Sequence, residues 1–232
     1  MRKVLLICVL LAALTTLITG VYLEKLGTLK ELQEYGQLPM ALVIVDYAKP
    51  VSLAEAYRQA DLVVVGRVLG IERVSTFSKM PAMCLTVEVE LVIKGLVTTN
   101  RIAVWQTGSC IGRFGVFFLR LDDPPLMPGE RVILFLREVE PESISGMEIV
   151  SVPLHEYELF LGPFGRFEVI DGKVYSLMHV TEELLKSLSL NPKLIDAAKN
   201  HVESWLKGSE YERIKGVTLE EFIAMLKSLD EH

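Results

Sequence analysis

Positive charge is the scarcer kind in this chain: 24 lysines and arginines face 30 aspartates and glutamates, a net charge of −6. Without a cationic excess there is no electrostatic basis for gripping a polyanion, which excludes nucleic acid as a main partner. Histidine is also sparse. His155, His179, His201 and His232 are scattered, and no two share metal-ligand spacing. No metal and no cofactor is therefore implied. There is no internal repeat and no low-complexity tract, and 50% hydrophobic against 23% charged residues is the balance of a globular chain that can bury a core. Only three cysteines occur, and Cys8 falls in an apolar N-terminal run with nothing around it that resembles a lipoprotein signal.

That run sets the expected compartment. Arg2 and Lys3 precede an uncharged stretch, residues 4–23, of about 20 residues, long enough as a helix to cross a bilayer core. It exceeds the usual apolar core of a signal peptide, and a cut after Gly20 would put bulky Ile18 where a small residue is wanted. An uncleaved transmembrane anchor is expected, with secretion after cleavage as the alternative. The positive-inside rule then puts the N-terminus in the cytoplasm and the rest of the chain outside, because no second run is apolar enough to return it. Residues 1–23 are read as anchor, 24–50 as a juxtamembrane stalk, 51–180 as a β-barrel domain and 181–232 as a helical extension packed on the barrel.

Ser52 and Glu55 have capping-box spacing ahead of a short helix reaching about residue 59. From Asp61 the texture is β-branched, predicting strands at 62–68, 84–93, 101–105, 117–121, 131–136 and 147–152. In the second, Leu85, Val87, Val89 and Leu91 alternate with Thr86, Glu88 and Glu90, so one face enters a core and the other meets water. Asp171-Gly172 between 166–170 and 173–177 is the residue pair of a two-residue hairpin turn. Two amphipathic helices are expected after it, over 191–206 and from the Thr218/Glu221 capping box to Leu229.

The order Ala60-Asp61-Leu62-Val63-Val64-Val65-Gly66, then Ile93-Lys94-Gly95, Cys110 in a Gly-rich loop, and Met127-Pro128-Gly129-Glu130 before an apolar strand resembles the netrin-like module. That family includes the N-terminal domain of the tissue inhibitors of metalloproteinases. The resemblance covers about residues 53–140 and implies an extracellular, closed, five-stranded barrel of OB type, hence an α+β fold with the C-terminal helices. Gly66 and Gly95 are then expected where strands bend or turn. The family's inhibitors chelate zinc through a cysteine at a free mature N-terminus. This chain has no cysteine near the domain start, so that mechanism does not carry over, and what remains is an expectation of binding, by analogy of fold.

Cys84 and Cys110, the only cysteines outside the apolar run, are expected to form a disulfide, worth on the order of 3–4 kcal/mol for a loop of about 26 residues. Two separate buried thiols are the alternative. Gly108-Ser109-Cys110-Ile111-Gly112 also fits a cysteine form of the nucleophile elbow, with Asp171 and His179 following in the right order. The strand-like residues 115–119 after it argue against the helix that an elbow must open. Gly162-Pro163-Phe164-Gly165 reads as a turn, and Asp122-Asp123-Pro124-Pro125 as a solvated loop. A binding surface is expected along loops 106–116 and 121–130, with Trp105, Gln106, Ser109, Arg113 and Phe114 as candidates. Three functions stay open: a membrane-anchored extracytoplasmic module that binds another extracytoplasmic protein, a Cys110 hydrolase, or a structural accessory subunit of a membrane complex.

Overall fold

The computed structural model describes residues 40–43, 52–77, 80–107, 110–111, 117–120, 123, 125–139, 155–159, 161–176 and 207–229, with 196, 200 and 204. The anchor, the stalk up to residue 39, the predicted strand at 147–152, His179 and most of 191–206 lie outside the described residues. Among the described residues no helix is long and apolar enough to cross a membrane.

The chain enters through β1 (Met40–Val43) and helix α1 (Leu53–Gln59). The Ser52 hydroxyl accepts from the Glu55 amide at 3.1 Å, the expected N-cap, whereas the Glu55 carboxylate turns along the helix to accept from Gln59. At the other end Lys94 takes up the open carbonyls, donating to those of Tyr57, Arg58 and Ala60 at 2.7–2.8 Å. A cation at a helix C-terminus meets both the unpaired carbonyls and the negative end of the helix dipole.

Two long strands follow, β2 (Leu62–Phe77) and β3 (Met80–Lys94), then β4 (Arg101–Thr107), β5 (Cys110–Ile111), β6 (Phe117–Arg120), β7 (Arg131–Glu138) and β8 (Glu156–Leu159). Hydrogen bonding joins β2, β3, β4, β8 and β7 in that order, and β7 returns to β2. The ring is a closed five-stranded barrel, compatible with an OB-like α+β fold. Its closing strand, β8, runs parallel to β4 and antiparallel to β7. Beyond a 3-10 turn at Gly162–Gly165, β9 (Arg166–Ile170) pairs with the first half of β7, extending the sheet through β10 (Lys173–Ser176) and β11 (Lys215–Thr218). The Asp171-Gly172 turn has positive φ at both residues, 49° and 74°, as the hairpin requires. Helices α2 (Glu210–Arg213) and α3 (Leu219–Ser228) complete the described chain, and both halves of the Thr218/Glu221 capping box are formed. β1, β6 and β5 form a separate three-stranded sheet.

Alternation along the strands separates two apolar cores. Leu62, Val64 and Val68, with Val132, Leu134 and Leu136, fill the barrel with Leu85, Val87, Ile102 and Val104. Their neighbours Val63, Val65, Ile133 and Phe135 point the other way, under Tyr57, Phe167, Tyr211, Phe222 and Leu226. Leu91 departs from its expected place. The β2–β3 register slips at Glu90, because Val65 faces Leu91 while Gly66 faces Val89. The extra residue reverses the alternation, leaving Leu91 43% exposed and sending Ile93 to the helix-covered core. Gly66 sits where β3 presses closest: a Cβ there would lie 2.8 Å from the Glu88 carbonyl oxygen.

Candidate functional site

One end of the barrel is closed by a polar plug. β9 pairs with β7 so that Arg166 stands opposite Leu134 and Glu168 opposite Val132, on the face that lines the interior. Arg166 is 1% exposed and donates to Asp123 at 3.3 Å. Gln106, fully buried on β4, donates to the same Asp123 oxygen at 3.2 Å and accepts from the Leu126 amide at 2.8 Å. These hydrogen bonds offset part of the cost of burying the groups. Asp123 is therefore no solvated loop carboxylate: it is 1% exposed, held by an arginine that only the register of β9 delivers.

Glu130 extends the plug toward solvent. Its carboxylate accepts from the Met127 amide at 3.0 Å, while its own amide donates to the Met127 carbonyl, closing the turn that opens β7. Arg166 lies 4.0 Å from the carboxylate. Burial pushes the Glu130 carboxyl above the usual carboxylate range, against the opposing pull of Arg166, the Met127 amide and Glu168.

Outside the plug an open cleft of about 420 Å³ runs between this turn and the β9–β10 hairpin, lined by Arg67, Glu130, Arg131, Glu168, Ile170 and Asp171 among others. Glu90 lies between Arg67 at 3.4 Å and Arg131 at 2.6 Å, and Arg67 also donates to the Gly129 carbonyl. The result is a recess with buried carboxyls at its floor and guanidinium groups at its rim, able to hydrogen-bond a polar partner from both sides.

Of the residues singled out from the sequence, Asp171 lines this cleft and Gln106 lies in the plug beneath it. Trp105 and Gln106 are both buried rather than on the surface. Trp105 is buried with Ala82, Cys84 and Ala103, and its indole N–H donates to Glu156 at 3.1 Å. Ser109, Arg113 and Phe114 lie outside the described residues. Cys84 is buried on the outer face of the barrel, opposite Trp105 across the β3–β4 pair. Cys110 stands on β5, antiparallel to β6 opposite Phe118, and β5 approaches β3. Its backbone is thus strand rather than the strand-to-helix turn of a nucleophile elbow; its side chain, like His179, lies outside what is described.

Sequence reasoning missed Asp123, Glu130, Arg166 and Glu168 as one group. A usable signal was present: in Arg166-Phe167-Glu168-Val169 the charged residues occupy one face of a strand whose other face is apolar. Among the described residues no group of three or more potential ligands is placed to hold a metal ion. Comparison of the chain with protein-family models gave no match, and comparison with curated proteins gave none.

Proposed function

We propose that this protein is a membrane-anchored, extracytoplasmic binding module that recognises another extracytoplasmic protein through the rim of an OB-like barrel. The observation that carries the reading is the open charged cleft at the barrel end, built from the turn before β7 and the β9–β10 hairpin. Charged groups converging on an open cleft can meet complementary charges on a partner and fix its register. The strand connectivity supports the OB-like assignment: the third strand of the ring runs parallel to the fifth, and the first pairs with the fourth, as in a five-stranded Greek-key barrel. The netrin-like resemblance over residues 53–140 agrees with this arrangement. No disulfide is formed among the described residues, so the Cys84–Cys110 bond is proposed from the pairing of the two cysteines in the sequence, and the apolar run at 4–23 supports the anchor.

Two measurements on the full chain in native membranes test the reading. Peptide mapping without reductant is expected to recover a Cys84–Cys110 linked peptide; alkylation of both thiols without reductant would remove the disulfide and the extracytoplasmic placement that rests on it. A photo-crosslinking side chain at Ile170, exposed at the cleft, is expected to give a discrete protein adduct that the same group at exposed Glu220 does not. Equal labelling at the two positions, or none at Ile170, would sink the cleft as the recognition surface.

A further inference from the structure

Arg67 on β2 and Arg131 on β7 stand directly opposite each other in the antiparallel register. Alternation puts them there. Two residues away, Val65 and Ile133 face the helix-covered core, and the same strand face carries the two arginines past its edge into the cleft. Like charges facing each other across two strands repel, so the pair needs an anion. One carboxylate supplies it: Glu90, the extra residue of the β3 bulge, reaches between them, 2.6 Å from Arg131 and 3.4 Å from Arg67. Glu88, opposite Arg67 in the register, makes no ion pair with it among the described residues.

Two guanidinium groups therefore share a single carboxylate, and most of their donors are not used. Arg67 gives one N–H to the Gly129 carbonyl at 3.2 Å, whereas Arg131 makes its only hydrogen bond among the described residues through Nε. The terminal amino groups of Arg131 stay available at the rim, where its side chain is 34% exposed and that of Arg67 46%. The acidic groups of the cleft lie elsewhere: Glu168 is 7% exposed on the face that lines the barrel interior, and Asp171 tops the hairpin on the other wall. We propose that Arg67 and Arg131 are the receptor for an acidic side chain of the partner protein, and that Glu90 is an internal stand-in whose place that carboxylate takes. Guanidinium forks match a planar carboxylate through paired N–H donors, which gives such a contact direction as well as charge. Glu90 is the residue that β2 leaves unpaired, so its side chain swings aside without breaking the ladder. The assignment rests on the reading of the cleft as the recognition surface and names the group that surface recognises.

The test is a titration of the full chain in detergent micelles, followed through the arginine side-chain N–H resonances. Three probes are used: a capped tripeptide with a central aspartate, its asparagine counterpart, and inorganic phosphate. The aspartate peptide is expected to shift the Arg67 and Arg131 signals saturably, and the asparagine peptide to leave them in place. Glu90→Gln removes the internal competitor and is expected to lower the dissociation constant for the aspartate peptide about two- to five-fold, the factor for one partly exposed ion pair. A purely structural Glu90 predicts the opposite sign, because its loss would leave the arginines repelling and the rim less ordered. Arg131→Gln is expected to abolish the saturable shift at Arg67, which keeps the test decisive should Glu90→Gln fail to fold. A saturable shift in neither protein, equal shifts with aspartate and asparagine, no tightening in Glu90→Gln, or an undiminished Arg67 shift in Arg131→Gln would overturn the proposal. Saturation by phosphate at a lower concentration than by the aspartate peptide would overturn the assignment to a carboxylate. None of these probes is the partner itself, so failure of the carboxylate site here and failure of the recognition surface in the crosslinking experiment are distinguishable.

Discussion

Replacing Arg166 with methionine is expected to lower the unfolding free energy by about 3–5 kcal/mol, the usual cost of removing one partner from a buried ion pair. The side chain is 1% exposed, and Asp123, equally buried, would lose this cationic partner with the Glu130 carboxyl close by. Most of the loss is this stranded negative charge rather than lost attraction. Two further results follow. The penalty shrinks as pH falls, because protonating the carboxyls relieves the uncompensated charge. Combining Arg166→Met with Asp123→Leu recovers a large part of the stability lost by Arg166→Met alone, since a buried ion pair is often replaceable by apolar groups of similar volume. Chemical denaturation of the three variants at two pH values checks all of this. A change below about 1 kcal/mol for Arg166→Met, of the size typical of surface pairs, would show that the plug does not hold the barrel end.

Gly95→Ala is expected to cost about 3–4 kcal/mol, through two effects that fall on one atom. Gly95 has φ +83°, a conformation L side chains rarely adopt, and a Cβ there would lie 2.5 Å from the Asp61 carbonyl oxygen and 3.2 Å from Leu62 Cα. Neither neighbour gives way easily, because both are backbone atoms where β2 begins. Gly172 is the control. Its φ is +74°, but nothing lies within 4 Å of its would-be Cβ, so Gly172→Ala should lose only the left-handed penalty of about 1–2 kcal/mol. The difference between the two variants, read as thermal and denaturant midpoints, isolates the close approach from the backbone strain. Equal losses would mean that the approach of β3's end to Asp61 is not held in solution.

The Gly95 contact joins features that lie side by side in the sequence but act at a distance. Lys94, one residue earlier, donates to three carbonyls at the end of α1, and its ammonium lies 5.3 Å from the Tyr57 ring centroid. Ile93 packs into the core that α1 covers. Ile93-Lys94-Gly95 is therefore a single joint that seats the helix on the barrel, with the apolar contact, the helix cap and the turn each assigned to one residue.

Much of this was legible from the chain alone, wherever the physics is local. Asp171-Gly172 specifies its hairpin because only residues tolerating positive φ fit the turn, and Thr218 with Glu221 specifies a helix start because the reciprocal hydrogen bonds span three residues. Strand existence at β2, β3, β4, β6 and β7 follows from β-branched and aromatic runs, and the inward face of Leu85 and Val87 from their alternation with Thr86 and Glu88. What escaped detection depends on register between distant strands. The barrel closes through Glu156-Tyr157-Glu158-Leu159, too short and too charged to announce a strand, and paired only because β4 and β7 present open edges on either side of it. Leu91 keeps perfect alternation in the sequence yet faces water, because the bulge at Glu90 is imposed by the bending of β3 around the barrel. Asp123 looked like a loop carboxylate until β9 delivered Arg166 from 43 positions away. Composition and local pattern determined a β-rich chain with helices at its flanks and an apolar leading segment. Which face each residue takes, which strand closes the ring and which charges meet in its end were decided by tertiary structure, because these depend on the sum of pairings around a closed circuit and no single segment contains that sum.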